Sequence, residues 1–316
     1  MQREGSAVAM IVDTDTDSPG TNEDDSTGRT IKMSTLGEHF SNKARVLTQL
    51  MSLLLAFGII GFVQPATRAW IAGLDTTFID LANDDVWRPE TPKTQVNFHL
   101  VWAVSYLVPI ALIVLIECVQ RHGNVKCSGS TWQYDAFMLC YGLVICNVLT
   151  QIWTEMAKAA FAVPRRLFMA ECDPDPAVLQ EAKEAMASQF QVFVLAATLC
   201  RNSDASTKGR LSFPSGHTSQ STAFGVFLCL YLCHKLRLLN RETVAPPFWA
   251  VLASVSPLVF GLFIGGGKVL EHKHRLHEVL LGAALAAFCA VIAWKMVPKQ
   301  AKRFDVNRRV SPDWGV

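Results

Sequence analysis

Two short segments carry the residue types of a phosphoryl-transfer site. Residues 214–217 read Pro-Ser-Gly-His, and 268–278 read Lys-Val-Leu-Glu-His-Lys-His-Arg-Leu-His-Glu. Pro214 fixes its own φ and holds Phe213 extended, so a preceding element stops there. Gly216 permits a sharp bend, and the polarity pattern starts a helix near His217. The free N–H groups and positive end of that helix form an anion site, to which Ser215 adds a hydroxyl donor. His217 stands beside this anion site with an imidazole suited to proton transfer. In the second segment His274 and Glu278 are four residues apart. On a helix the carboxylate can hold one ring nitrogen and leave the other free to attack, the logic of an oriented base applied to a histidine nucleophile. A third segment, Lys-Ala-Ala-Phe-Ala-Val-Pro-Arg-Arg at 158–166, sets Lys158 and Arg165 two helical turns apart, a point charge and a planar fork for phosphate. Alone, that pair reads equally as two side chains snorkelling at a helix end.

His272 and His277 are given no role. A metal centre is disfavoured, because no His-Glu-x-x-His or carboxylate cluster is present and the surrounding Lys and Arg would repel a cation. No metal, and Mg2+ in particular, is expected as a cofactor. Net charge is only +2 over 316 residues, which gives no reason to expect a nucleic-acid partner.

The elements that must position these residues are apolar runs. Half of the chain is hydrophobic and mean hydropathy is +0.24. Runs at 46–63, 99–119, 136–161, 218–233, 248–266 and 279–297 each approach the roughly 20 residues that a helix needs to cross ~30 Å of hydrocarbon. The predicted class is therefore all-α: a six-transmembrane-helix integral membrane protein. Residues 1–42, with eight acids against three basic residues among the first 40, read as a disordered cytoplasmic tail. The membrane domain is placed at 43–298 and a basic cytoplasmic tail at 299–316. Ala177–Thr198 reads as one helix of the loop 162–213; the apolar stretch 190–197 within it is too short to cross.

Six spans put both termini on one side. The short loops 120–134 and 234–243 and the C-terminal tail share that side. They carry Arg121, Lys126, Lys235, Arg237, Arg241, Lys299, Lys302, Arg303, Arg308 and Arg309, so the positive-inside rule makes it cytoplasmic. Lys158, Arg165, Ser215, His217, Lys268 and His274 then converge on the outer face. Cys172 and Cys200 fall in the one long outer loop, without another cysteine there, and are expected to form a disulfide in that oxidising space.

At these residues the chain resembles the type-2 phosphatidic acid phosphatases, or lipid phosphate phosphatases. That family's pattern is Lys-x6-Arg-Pro, then Pro-Ser-Gly-His, then Ser-Arg-x5-His-x3-Asp, on six helices with an extracytoplasmic active site. Lys158 and Arg165, residues 214–217, and Lys268, His274 and Glu278 match it in order and spacing. RRLFMAEC at 165–172 and CRNSDASTKGRLSF at 200–213 also look similar. The resemblance spans roughly 45–297. It implies hydrolysis of phosphatidate, lysophosphatidate, sphingosine phosphate or ceramide phosphate without a metal. His274 would form a phospho-histidine, His217 would protonate the leaving alkoxide and Glu278 would orient His274. Lys158, Arg165, Lys268 and the Ser215–Gly216 turn would hold the phosphate oxygens. Three positions depart from the pattern: Arg166 stands for Pro, Lys268 for Arg and Glu278 for Asp. The departures keep a second reading open, a catalytically weak relative that binds lipid phosphates or partner proteins. The expected membrane is the plasma membrane, with endoplasmic reticulum and Golgi as alternatives; the sequence leaves homo-oligomerisation open.

The topology has a direct check. In sealed vesicles of known orientation, protease on the cytoplasmic side should spare 162–213 and remove the C-terminal tail. Cleavage of 162–213 from that side would overturn the orientation.

Overall fold

The computed structural model describes residues 24–74, 78–89, 97–122, 132–188, 192–236, 238 and 245–298. The chain divides into two compact units, residues 1–50 and 51–316; the site lies wholly in the second. Helix α1 runs Asp24–Ala72, α2 Phe98–His122 and α3 Trp132–Phe161. Strand β1 (Phe78–Asp80) lies between α1 and α2. After α3 come the short helices α4 (Phe168–Cys172) and α5 (Pro176–Met186), strand β2 (Phe193–Leu195), α6 (Ala196–Leu199) and α7 (Ser203–Gly209). The long helices α8 (Gly216–Lys235), α9 (Phe248–Leu270) and α10 (Leu276–Met296) complete the chain.

Five of the six expected runs lie within a long helix, and the sixth, 279–297, ends one residue past α10 at its C-cap, Val297. Helix α1 starts at Asp24, inside the stretch read as an acidic disordered tail; residues 1–23 and 299–316 lie outside the described residues, as do Lys126, Arg237 and Arg241. Among the described residues five helices, α1, α2, α3, α9 and α10, are long and apolar enough to cross a membrane. Helix α8 falls short of them in composition, because its first two turns are Gly-His-Thr-Ser-Gln-Ser-Thr. Those polar residues are not offered to lipid: Thr218, Ser219, Gln220 and Ser221 are all buried. Helix α8 packs against α9, α10, α3 and α2, and its apolar part closes a core of Leu139, Leu143, Phe227, Tyr231, Ala286 and Ala290. Large apolar side chains point outward from the flanking helices, among them Leu54, Phe62, Leu107, Leu262 and Phe288, the pattern of helices whose outer surface meets hydrocarbon. Lys235 turns inward and pairs with Glu117 at 2.5 Å, while the Tyr231 hydroxyl donates to the same carboxylate at 3.0 Å.

The segments expected to lie outside have a separate core. Ile79, Leu81, Val86, Phe168, Met169, Cys172, Val192 and Leu199 pack together, and β1 pairs antiparallel with β2 in the register Phe78↔Leu195 and Asp80↔Phe193. This small sheet corrects two expectations. The fold is helical but not purely so, and Ala177–Thr198 is not one helix. Helix α5 ends at Met186, and residues 193–195 extend to meet β1. The apolar run Phe-Val-Leu cannot announce which it will be, since helix and strand differ there only by the partner available.

Cys172 and Cys200 form a disulfide across 28 residues of this outer core. Closing a loop of that length restrains the unfolded chain by about 3–4 kcal/mol in the entropy model. The Cys200→Ser variant should therefore melt well below the wild type in detergent, and alkylation without reductant should leave Cys172 and Cys200 unlabelled in the native protein. An unchanged melting point would show that the outer core does not depend on this link.

Candidate active site

Helix ends make the site. Helix α3 ends and α8 begins, α9 ends and α10 begins, at one level. Lys158 lies in the last turn of α3 and Lys268 in the last turn of α9, where each offsets the negative helix terminus. Ser215 is the N-cap of α8 and His217 its second residue. The 214–217 turn is held to α10 through its backbone: Ser215 N–H donates to the Glu278 carbonyl at 3.2 Å. Gly282 makes this approach possible, since a Cβ there would stand 3.0 Å from the Ser215 carbonyl oxygen. Gly216 likewise faces Lys158, whose Nζ would lie 3.2 Å from a Cβ at that position. The backbone of the turn and the lysine thus share a space that any side chain would fill.

Glu278 is the centre of the arrangement. Its carboxylate is fully buried and collects four donors. Oε2 accepts from Ser212 Oγ at 2.6 Å, His274 Nδ1 at 3.0 Å and the Arg275 backbone N–H at 3.1 Å; Oε1 accepts from Arg275 Nη1 at 3.0 Å. With Nδ1–H given to the carboxylate, the assigned tautomer leaves Nε2 of His274 as the basic nitrogen. Burial drives the imidazole below its ordinary pKa, outweighing the hydrogen bond it donates to Glu278, which favours the charged form. His274 is therefore a neutral ring held by one edge, as a nucleophile requires.

Around it the expected cations assemble. His217 lies within electrostatic reach of Lys268, His274, Arg165 and Lys158, and the Phe98 ring packs edge-on to it at 5.2 Å. Lys158 Nζ contacts Glu155 at 2.7 Å, and Lys268 Nζ sits between the two Glu271 oxygens at 3.0 and 2.9 Å. Arg165 Nη1 is 3.9 Å from Glu171. Ser215 is buried and accepts from Thr218 at 3.0 Å, so its own hydroxyl proton remains for an acceptor. All eight predicted site residues thus come together.

One route differs from expectation. Lys158 and Arg165 do not share a helix face: α3 stops at Phe161, and Ala162 has φ +43°. Arg165 is placed instead by its backbone, which donates to Gly209 O at 2.8 Å, and by Ser212 N–H donating to Val163 O at 3.1 Å. Sequence reasoning also missed Ser212, Glu155, Glu271 and Arg275. Glu155 and Glu271 precede or follow their lysines by three residues, which is a readable helical signal; Ser212 has none. His277 is exposed, and no role attaches to His272 or His277. Among the described residues no His, Cys, Asp and Glu group forms a metal-binding cluster.

Residues 136–302 match the PAP2 superfamily. Human phospholipid phosphatase 2 is 34% identical over 259 residues, 78% of this chain and 80% of that protein. Lipid phosphate phosphatase 1 of Arabidopsis thaliana is 29% identical over 194 residues, and the probable diacylglycerol pyrophosphate phosphatase 1 of Schizosaccharomyces pombe 26% over 193. The matches cover 60% and 61% of this chain, and 53% and 64% of those proteins, so the chain spans about half the length of the plant relative. The residue pattern, the bundle of apolar helices and these similarities together make the chain an integral membrane protein and a member of the PAP2 superfamily.

Proposed function

We propose that the chain is a metal-independent lipid phosphate phosphatase that works through a phospho-histidine. The observation that carries this reading is the buried Glu278–His274 pair, with Nε2 of His274 left basic beside His217 and three cationic side chains. Lys158, Arg165 and Lys268, with the Ser215 hydroxyl and the N–H groups opening α8, bind the phosphate oxygens and supply the electrostatic stabilisation that phosphoryl transfer needs. Nε2 of His274 attacks phosphorus as the phosphorus–oxygen bond to the lipid breaks. A phosphate dianion bound here offsets the repulsion of the surrounding cations, so that His217 is protonated in the complex and gives its proton to the leaving alkoxide. Water then attacks the phospho-histidine, His217 takes the water's proton, and inorganic phosphate leaves with His274 restored.

The substrate class is a phosphomonoester on a lipid: phosphatidate, lysophosphatidate, sphingosine phosphate or ceramide phosphate. The names of the relatives support a lipid phosphate, and the flanking apolar helices give its chains a medium. We place α8 as a sixth span, both termini in the cytoplasm and the site on the outer or lumenal face, in the plasma membrane. Two departures from the family pattern are accommodated locally. Lys268 is held by both Glu271 oxygens, and Glu278 uses its longer stem to reach two separate sets of donors.

Phosphate release from a panel of these lipids in detergent with EDTA tests the reading. The wild type should be active and His274→Ala inactive, and His217→Ala should lose roughly 10²–10⁴-fold, the usual worth of a general acid. Lys268→Arg should retain activity, because a guanidinium can engage Glu271 and still present N–H groups to phosphate. Wild-type release no greater than that of His274→Ala would leave the non-catalytic binding protein as the answer.

A further inference from the structure

We propose that Asp85, in the segment between α1 and α2, is a positioning residue for the site histidine, acting through Arg275 and Glu278. The inference rests on the reading of His274 as the phosphoryl acceptor. Asp85 also lies outside residues 136–302, the part of the chain that matches the PAP2 superfamily.

The link is continuous. Arg275 Nε donates to Asp85 Oδ2 at 2.9 Å, and Arg275 Nη1 donates to Glu278 Oε1 at 3.0 Å and to the Pro164 carbonyl at 3.0 Å. Glu278 in turn holds His274 through its other oxygen. A guanidinium is a rigid plane with donors in fixed directions. Pinning its Nε edge therefore aims Nη1, and among the described residues Nη1 is the only hydrogen-bond donor to Oε1 of Glu278. That oxygen needs a fixed partner. Glutamate has one more torsion than the aspartate of the family pattern, so its carboxylate can swing unless both oxygens are held.

Asp85 is suited to be the fixed end. Its neighbour Val86 is buried in the outer core, and Asp85 N–H is capped by Asn83 Oδ1 at 3.0 Å. Arg88 N–H donates to Arg166 O at 3.1 Å, and β1 is zipped to β2. Arg166 closes the far side, its Nε 3.1 Å from Asp85 Oδ1. Partial burial opposes the charge on Asp85, but the Arg275 hydrogen bond and the charges of Arg166 and Arg275 prevail and hold its carboxyl below the ordinary value. Two of the family departures, Arg166 and Glu278, thus sit at the two ends of one chain of contacts through Asp85 and Arg275.

The test uses the full chain in detergent with phosphatidate. Asp85→Asn should lower kcat by roughly 10–100-fold, the scale on which small misalignments of reacting groups cost rate, while KM and the melting temperature stay close to wild type. Asp85→Glu should recover most of the rate. Arg275→Leu, which also removes the donor to Glu278 Oε1, should lose at least as much, and adding Asp85→Asn to it should cost nothing further. Unchanged kcat in Asp85→Asn, or losses that multiply in the double variant, would overturn the proposal. If the wild type releases no phosphate, the phosphatase reading fails and orthovanadate decides the positioning role separately. A vanadate-induced rise in melting temperature that shrinks in Asp85→Asn and returns in Asp85→Glu upholds it; equal rises in wild type and Asp85→Asn overturn it.

Discussion

A carboxylate with no access to water must be surrounded by donors or give up its charge. Glu278 meets that demand with four hydrogen bonds from Ser212, His274 and Arg275, and meeting it fixes much of the molecule. The residue before Phe213 must lie against the first turn of α10. The α9–α10 link must curl so that one side chain and one backbone N–H face the same oxygen. The 214–217 turn is drawn in by the backbone of the same residue. An ionised group that holds the structure together is then also the group that orients the His274 ring, so the site cannot loosen without exposing a buried charge.

The cations around it are arranged on the same principle. Lys158 has Glu155 on the same helix and Lys268 has Glu271 at the C-cap of its helix, each at hydrogen-bond distance. Such pairs keep the side chains in place before any phosphate arrives, which spares the rotamer freedom that ordering a free lysine would cost. They also set a threshold: an incoming anion must compete with a carboxylate already seated. On the proposed phosphatase reading, a phosphate dianion touching several cations at once competes better than a singly charged headgroup.

What the sequence disclosed was local or periodic. His274 and Glu278 are one helical turn apart, the tetrapeptide at 214–217 marks a turn into a helix, and the apolar runs show themselves by length. Cys172 and Cys200 share one long polar segment between apolar runs, which makes their pairing readable. What it hid was determined by distant partners. Asp85 meets Arg275 across 190 residues, and nothing in the composition of 78–88 points there. Strand β2 exists because β1 is beside it. The end of α3 at Phe161 depends on a left-handed residue at Ala162, a conformation that alanine does not advertise. Serine at 212 looks like any loop hydroxyl until the buried oxygen opposite is known.

Helix α8 poses a problem of order in time. Its opening turns carry hydroxyls and an amide that the finished protein buries against neighbours, chiefly α9 and α10. A ribosome delivers α8 before either of them. Alone in hydrocarbon such a segment is a poor candidate to partition, since its polar groups would find no partner there. As a spanning helix, α8 would have to wait at the insertion machinery until the two helices that follow it emerge, and the last three helices would enter the bilayer as a set. The polar turns that open α8, beside the proposed phosphate site, are what set it apart from the five apolar helices of the bundle.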